Sequence, residues 1–401
     1  MNPRRPEYQR SPYGRFPLKI DRGEGMHLVD AAGRRYLDLC AGWGAVSCGH
    51  RHPVVEAALA EALAGACATG YLDPPAQADG LALLNPLLPG DLGLVALYST
   101  GAEALDFALR LARNHTGRAP FVAFRGHFHG KTHGNMYLLG VLPECYGPRP
   151  PGYVTVLDAP LAGDAEAIEG FARALEAASD PPPAAVILEP VVGYSGPAPL
   201  PAEALRAVRD FCDRHGALMI MDEVFTSMFR CGAWFEAGAT GVIPDILVFG
   251  KGMGNGFPVA GVAATSAVAP SVAKSLPGST YSGNGLAWAA VKGVLACLSA
   301  EADRLPRHVE QLEALARDWA ASSALCRTQG LEVRGKGAMI GLRLGEQWQH
   351  RVQELVCACL DEGVVPSHGQ QGLRLTPPVL ITAEEWCEGL GRIEVAIAKL
   401  A

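Results

Sequence analysis

Between residues 94 and 267 the apolar positions fall into short unbroken runs separated by longer amphipathic stretches. The runs are LVALYST (94–100), FVAFRG (121–126), YVTVLD (153–158), AAVILEP (184–190), ALMIMDEV (217–224), ILVFGKG (246–252) and VAGVAATSA (259–267). Rich in β-branched and large apolar residues and bounded by Gly, Pro and Asp, they predict strands. The stretches 102–113 and 202–216 have helical spacing; Leu105, Leu109 and Ala112 share one face of the first. Strands without polar alternation are buried on both faces, so the pattern predicts a mostly parallel sheet covered by helices. Beyond residue 296 it changes to a long helix, short strands near EVRGKGAMIGLRL and a helix near HRVQELVCACLDEG, which reads as a smaller α+β unit. The expected division is 1–50 as an arm and segment packing with the small unit, 51–295 as the large unit and 296–401 as the small one.

A chain of 401 residues exceeds what one core usually serves, in keeping with that division. A net charge of −7 argues against nucleic acid as the main partner. No apolar run reaches the about 18–20 residues that cross a bilayer. The first 17 residues hold four prolines and no apolar core, so they read as an arm rather than a signal peptide. Eleven cysteines without a CxxC pair predict reduced thiols in a cytoplasmic protein, with no disulfide framework and no metal site.

Open parallel sheets bind ligands at the carboxyl ends of their strands. The polar residues ending the runs are Thr100-Gly101, Gly126-His127, Glu189, Asp222-Glu223 and Lys251. Lys251 is no P-loop lysine, because Gly252 follows it and Pro258 comes before any helix. GKGMGNG is a weak match to a dinucleotide turn, late in the sheet and without its helix. The other use is covalent: a strand-end lysine can form a Schiff base with an aldehyde cofactor. Such a cofactor needs a phosphate cradle, a carboxylate for a ring nitrogen and flat walls. Thr100, Gly101 and Ala102, where a strand turns into a helix, are candidates for the cradle, or an ordinary helix cap. Asp222 is a candidate for the carboxylate, or a structural ion pair. Phe128 and His129 are candidates for the wall, or core and loop residues.

Taken in order, STGAEA, GHFHGKT, DEV, GKG and GSTYSGN resemble the class III aminotransferases, pyridoxal-phosphate enzymes of fold type I. The likeness runs from GEGMHLVDAAGRRYLDLCAGWGAVSCGHRHP to GLRLTPPVLITAEEW, with Lys251 placed 29 positions after Asp222. It implies an α/β fold with a seven-stranded, mostly parallel sheet and a smaller α+β domain. It implies pyridoxal 5′-phosphate (PLP) anchored on Lys251, which would also move the substrate proton. Asp222 would bind the pyridine nitrogen, Phe128 and Val224 would sandwich the ring with His129 beside it, and Gly101 and Ala102 would donate to the phosphate. Thr280 would reach the phosphate of a partner subunit, which implies a homodimer with shared sites. The expected reaction takes an amino group from a donor such as glutamate or alanine to an aldehyde or ketone. Racemisation, epimerisation or an intramolecular amino shift on the same cofactor is the alternative.

Three positions depart from the family pattern. Phe225 stands where many relatives have glutamine. Tyr194 stands where many have a glutamate that gates an arginine matching Arg374, and so Tyr194 is expected to hydrogen-bond or stack on Arg374 instead. Arg374 remains a candidate for a substrate carboxylate. Trp43 is expected in the substrate pocket, or else in the core or a subunit interface.

Overall fold

The computed structural model describes residues 16, 18–70, 72–161, 163–194, 196–348, 350–369 and 372–401. Apart from Phe16, the segment read as an arm (1–17) lies outside them. Three short strands come first: β1 (Ile20–Glu24), β2 (His27–Asp30) and β3 (Arg35–Asp38). β4 (Gly93–Tyr98), β5 (Phe121–Phe124), β6 (Val154–Leu157) and β7 (Ala185–Leu188) follow, then a hairpin of β8 (Val191–Val192) and β9 (Ala198–Pro199). β10 (Leu218–Glu223), β11 (Ile246–Gly250) and β12 (Ala260–Ala264) complete the large sheet. The C-terminal part adds β13 (Glu332–Lys336), β14 (Met339–Arg343), β15 (Val364–Val365), β16 (Ser367–Gly369) and β17 (Gly372–Leu375).

The seven expected runs form one seven-stranded sheet in the order β4-β12-β11-β10-β7-β5-β6. β6, β5, β7, β10 and β11 pair in parallel, whereas β12 is antiparallel to both β11 and β4. Only the short turn 251–259 separates β11 from β12, too little chain for the crossover a parallel pair requires. The unbroken apolar runs have the physical reason inferred from them. Val186, Leu188, Met219, Met221, Leu247 and Phe249 pack into one core, while Ala185, Ile187, Leu218, Ile220, Ile246 and Val248 pack into another. Successive side chains thus enter opposite, equally dry faces.

The helix expected at 102–113 spans Gly101–Thr116, and that at 202–216 spans Ala202–His215. Each ends at a glycine in the left-handed region, Gly117 and Gly216. The first three strands share a sheet with the C-terminal chain, in the order β1-β2-β3-β15. β13-β14-β17-β16 forms a further antiparallel sheet that carries Arg374. Among the described residues no helix is long and apolar enough to cross a membrane.

Candidate active site

Register places the chemistry. β7, β10 and β11 are neighbours running in the same direction, so Glu189, Asp222 and Lys251 emerge at one rim. They line a cavity of about 800 Å³, together with Thr100, Gly101, Ala102, Phe128, His129, Val224, Tyr194, Trp43 and Arg374. Of the expected site residues, only Thr280 is absent from this wall; it lies exposed on the loop before the helix Gly285–Ser299.

Lys251 opens a short 3-10 turn, Lys251–Gly254, with φ of +44°, in the left-handed region that a side chain adopts at a cost. The next residue is held tightly: a Cβ on Gly252 would fall 2.2 Å from Ser47 Oγ. The Lys251 amine stands 3.5 Å from the centroid of the Phe225 ring. Burial, then the nearby Arg374 charge, lower its pKa to about 8, although Glu189 and Asp222 pull the other way.

Asp222 closes the far wall. Its Oδ2 lies 2.8 Å from His129 Nδ1, and its Oδ1 accepts the Val224 N–H at 3.1 Å. His129 is thus buried against the carboxylate, and it positions Asp222 as well as lining the cavity.

The turn at Thr100-Gly101 is a helix cap at the cavity wall. Thr100 Oγ1 accepts the Glu103 N–H at 3.2 Å, and Glu103 Oε2 accepts the Thr100 N–H at 3.0 Å. That box commits the Thr100 side chain to the helix and leaves the first-turn N–H groups of Gly101 and Ala102 at the cavity wall. The floor admits no side chain: a Cβ on Gly101 would fall 2.9 Å from Val224 Cγ1, and one on Gly130 2.7 Å from Ala102 Cβ.

Glu189 was visible in the sequence only as a strand end, and the structure places it inside the site. It is buried and accepts the Phe128 N–H at 2.8 Å, which fixes the loop bearing Phe128 and His129. Burial, reinforced by the Asp222 carboxylate, raises its pKa to about 8. Behind it the Glu189 N–H donates to Nδ1 of His127, whose own pKa burial lowers to about 3, so this imidazole is a neutral acceptor. The available signal was an acid ending the wholly apolar run AAVILEP.

At the mouth Tyr194 does not pair with Arg374 as expected. Its ring stacks on Phe128, with centroids 5.0 Å apart and planes 22° from parallel. Arg374 Nη1 donates to the Gly193 carbonyl at 3.0 Å and Nε to Ser367 Oγ at 3.2 Å. Among the described residues no carboxylate forms an ion pair with Arg374. Trp43 lines the entrance at 53% exposure, on a segment whose residues Ala41, Gly42, Trp43 and Gly44 all have positive φ.

The cavity wall therefore offers a helix N-terminus, a buried carboxylate at Asp222, apolar surface at Phe128 and Val224, and an amine with depressed pKa.

The model of the family described as aminotransferase class-III matches residues 8–397. The acetylornithine aminotransferase of Methanopyrus kandleri is 35% identical over 402 residues, covering 98% of this chain and 96% of that protein. The 5-aminovalerate aminotransferase of Pseudomonas putida is 33% identical, covering 96% and 94%. Among solved structures, the Toxoplasma gondii ornithine aminotransferase superposes with a TM-score of 0.88 at 25% identity, covering 98% and 93%. A PLP-bound amine transaminase from an uncultivated Pseudomonas species superposes with a TM-score of 0.88 at 27% identity, covering 99% and 100%.

Proposed function

Because the chain belongs to the class III aminotransferases, we propose that its substrates carry a carboxylate received by Arg374 while their amine or carbonyl carbon reacts at Lys251. The protein is a PLP-dependent enzyme that moves an amino group from an amino donor to a carbonyl acceptor. The lining fits that cofactor. A helix N-terminus with two wall N–H groups suits the phosphate, two glycines leave the floor bare, and a buried carboxylate stands across from a lysine.

When bound, PLP supplies an aldehyde that condenses with amines and a ring that accepts electrons from the substrate α-carbon. The chain's residues do the rest. Gly101 and Ala102 orient the phosphate. Asp222, steadied by His129, would pair with the ring nitrogen, and Phe128 and Val224 would orient the ring between them. Lys251 is the covalent anchor, and its lowered pKa lets the amine accept and return a proton near neutral pH.

One observation carries the substrate reading: a buried guanidinium, tethered at Nη1 and Nε by neutral acceptors, shares the cavity with Lys251. A buried cation lacking an acidic partner is a site for an anionic ligand. Glutamate and alanine are the donors we favour, and the rings of Trp43 and Tyr194 at the mouth favour an acceptor with an apolar body. The experiment is a donor panel with a common 2-oxo acid. Glutamate and alanine should convert the enzyme to its amino-loaded form, and 1-phenylethylamine, which lacks a carboxylate, should do so poorly. The reverse ranking rejects the reading.

Thr280, exposed and outside the wall of its own cavity, is read as reaching the phosphate in a second copy, which makes the enzyme a homodimer. We also read the N-terminal segment and residues 296–401 as the small unit against the large unit 51–295. The free thiols fit a cytoplasmic enzyme.

A further inference from the structure

Phe225 follows the strand that ends in Asp222 and Glu223, and two glycines from distant parts of the chain make its seat. A Cβ on Gly44 would fall 2.5 Å from Phe225 Cε2, and a Cβ on Gly193 would fall 2.6 Å from Cδ1. Behind the ring lie Val191, Cys231 and Met339, all buried. A ring enclosed in this way has no room to rotate out of place. Its face meets the Lys251 amine 3.5 Å from the centroid, and the Arg374 guanidinium carbon lies 5.5 Å from the same centroid.

We propose that Phe225 is a positioning residue of this active site, whose clamped ring face seats the free Lys251 amine beside Arg374. Two cations in one dry cavity repel each other, and a π face attracts both without donating or accepting a directed hydrogen bond. A carboxylate in its place would bind the amine firmly. The ring holds it near the reacting carbon and still lets it leave, as a group that alternates between free amine and covalent anchor must. The groups facing the amine are Arg374, Glu189 and Asp222, with Arg230 farther off. Phe225 stands against that set without a titratable group of its own.

The inference rests on reading Lys251 as the amine that engages the cofactor, so the test separates the two. The full-length chain, freed of PLP by dialysis and checked for a cooperative thermal transition, is treated with a trace of acylating reagent across neutral and alkaline pH. Labelling of the Lys251 peptide is followed by mass spectrometry, and its midpoint reports titration of the amine. Removing the π face withdraws stabilisation of the cation, so Phe225→Leu should lower the midpoint by roughly 0.4 to 1.5 pH units. Phe225→Tyr, which keeps the ring, should stay at the wild-type midpoint. Phe225→Met fills irregular space and serves as a second ring-less variant should Leu disturb folding. Unshifted or raised midpoints in both ring-less variants overturn the inference. A wild-type chain that captures no PLP on Lys251 overturns the underlying reading and this inference with it.

Discussion

Nδ1 of His129 lies 2.8 Å from Oδ2 of Asp222, and both side chains are withdrawn from water. The pair joins the loop after β5 to the end of β10, so the orientation of the carboxylate depends on a residue 93 positions away. A hydrogen bond to a charged group is worth about 1.5–3 kcal/mol, and a buried group left without a partner costs more. His129→Ala should therefore lose about that much stability by urea unfolding and release PLP more readily on dialysis. Asp222→Asn keeps the shape and removes the anion, so it should retain cofactor while turnover falls by about 100-fold or more. Unchanged turnover in Asp222→Asn would remove the aspartate from the mechanism.

Glu189 and Lys251 shift toward each other, and each shift has its own sign in stability. Burial raises the Glu189 pKa to about 8, so between the usual carboxylate range and that pH the folded chain holds a proton that the unfolded chain has released. Its contribution is present at low pH and is lost as pH rises through that window. Lys251 is lowered to about 8; above that value the unfolded chain holds the proton, and stability gains as pH rises toward the ordinary lysine range. Urea midpoints of the cofactor-free chain, measured from pH 5 to 8, should fall less steeply in Glu189→Gln than in the wild type. Parallel slopes would mean that Glu189 is ionised throughout.

The turn that carries Lys251 depends on the absence of one methyl group. With Ser47 Oγ 2.2 Å from any Cβ at position 252, Gly252→Ala overpacks a buried contact and should cost about 1–3 kcal/mol. Ser47 Cβ would stand at 3.4 Å, an ordinary contact, so Ser47→Ala should restore most of the loss. Ser47 Oγ is buried without a hydrogen-bond partner among the described residues, so Ser47→Ala alone should change little. Strict additivity in this double-mutant cycle would show that the two positions do not touch.

Arg374 should discriminate between donors rather than support turnover in general. Arg374→Leu removes a charge-assisted contact worth about 1.5–3 kcal/mol, which is about a 10- to 150-fold loss of kcat/KM for glutamate. An amine donor without a carboxylate should be affected only a few-fold. Equal losses for both donors would make Arg374 structural.

Much of the site was legible because strand ends in an open sheet converge. Asp222 and Lys251 lie on paired neighbours, and that relationship follows from alternating strands and helices without any knowledge of side-chain packing. The reversed direction of β12 was less visible, since an apolar run buried on both faces reads the same either way. Thr100 had two uses open to it, and Glu103 three residues later is what gave its side chain to the helix. Tyr194 and Phe225 were noted as departures, but their partners come from approaches across the fold. The slot for Phe225 exists because Gly44 and Gly193 meet there, and no local pattern records that. Glu189 reads in the sequence only as one strand-end acid among several, and its burial beside the loop whose Phe128 N–H it accepts is a long-range contact.

The most direct test of the account is to load the purified chain with PLP, reduce it with borohydride before and after adding glutamate, and map the cofactor by peptide mass spectrometry. The account predicts a phosphopyridoxyl mass on the peptide containing Lys251 in the first sample and its loss in the second, as the amino-loaded cofactor leaves the lysine. A label on another lysine, or no label at all, would contradict it.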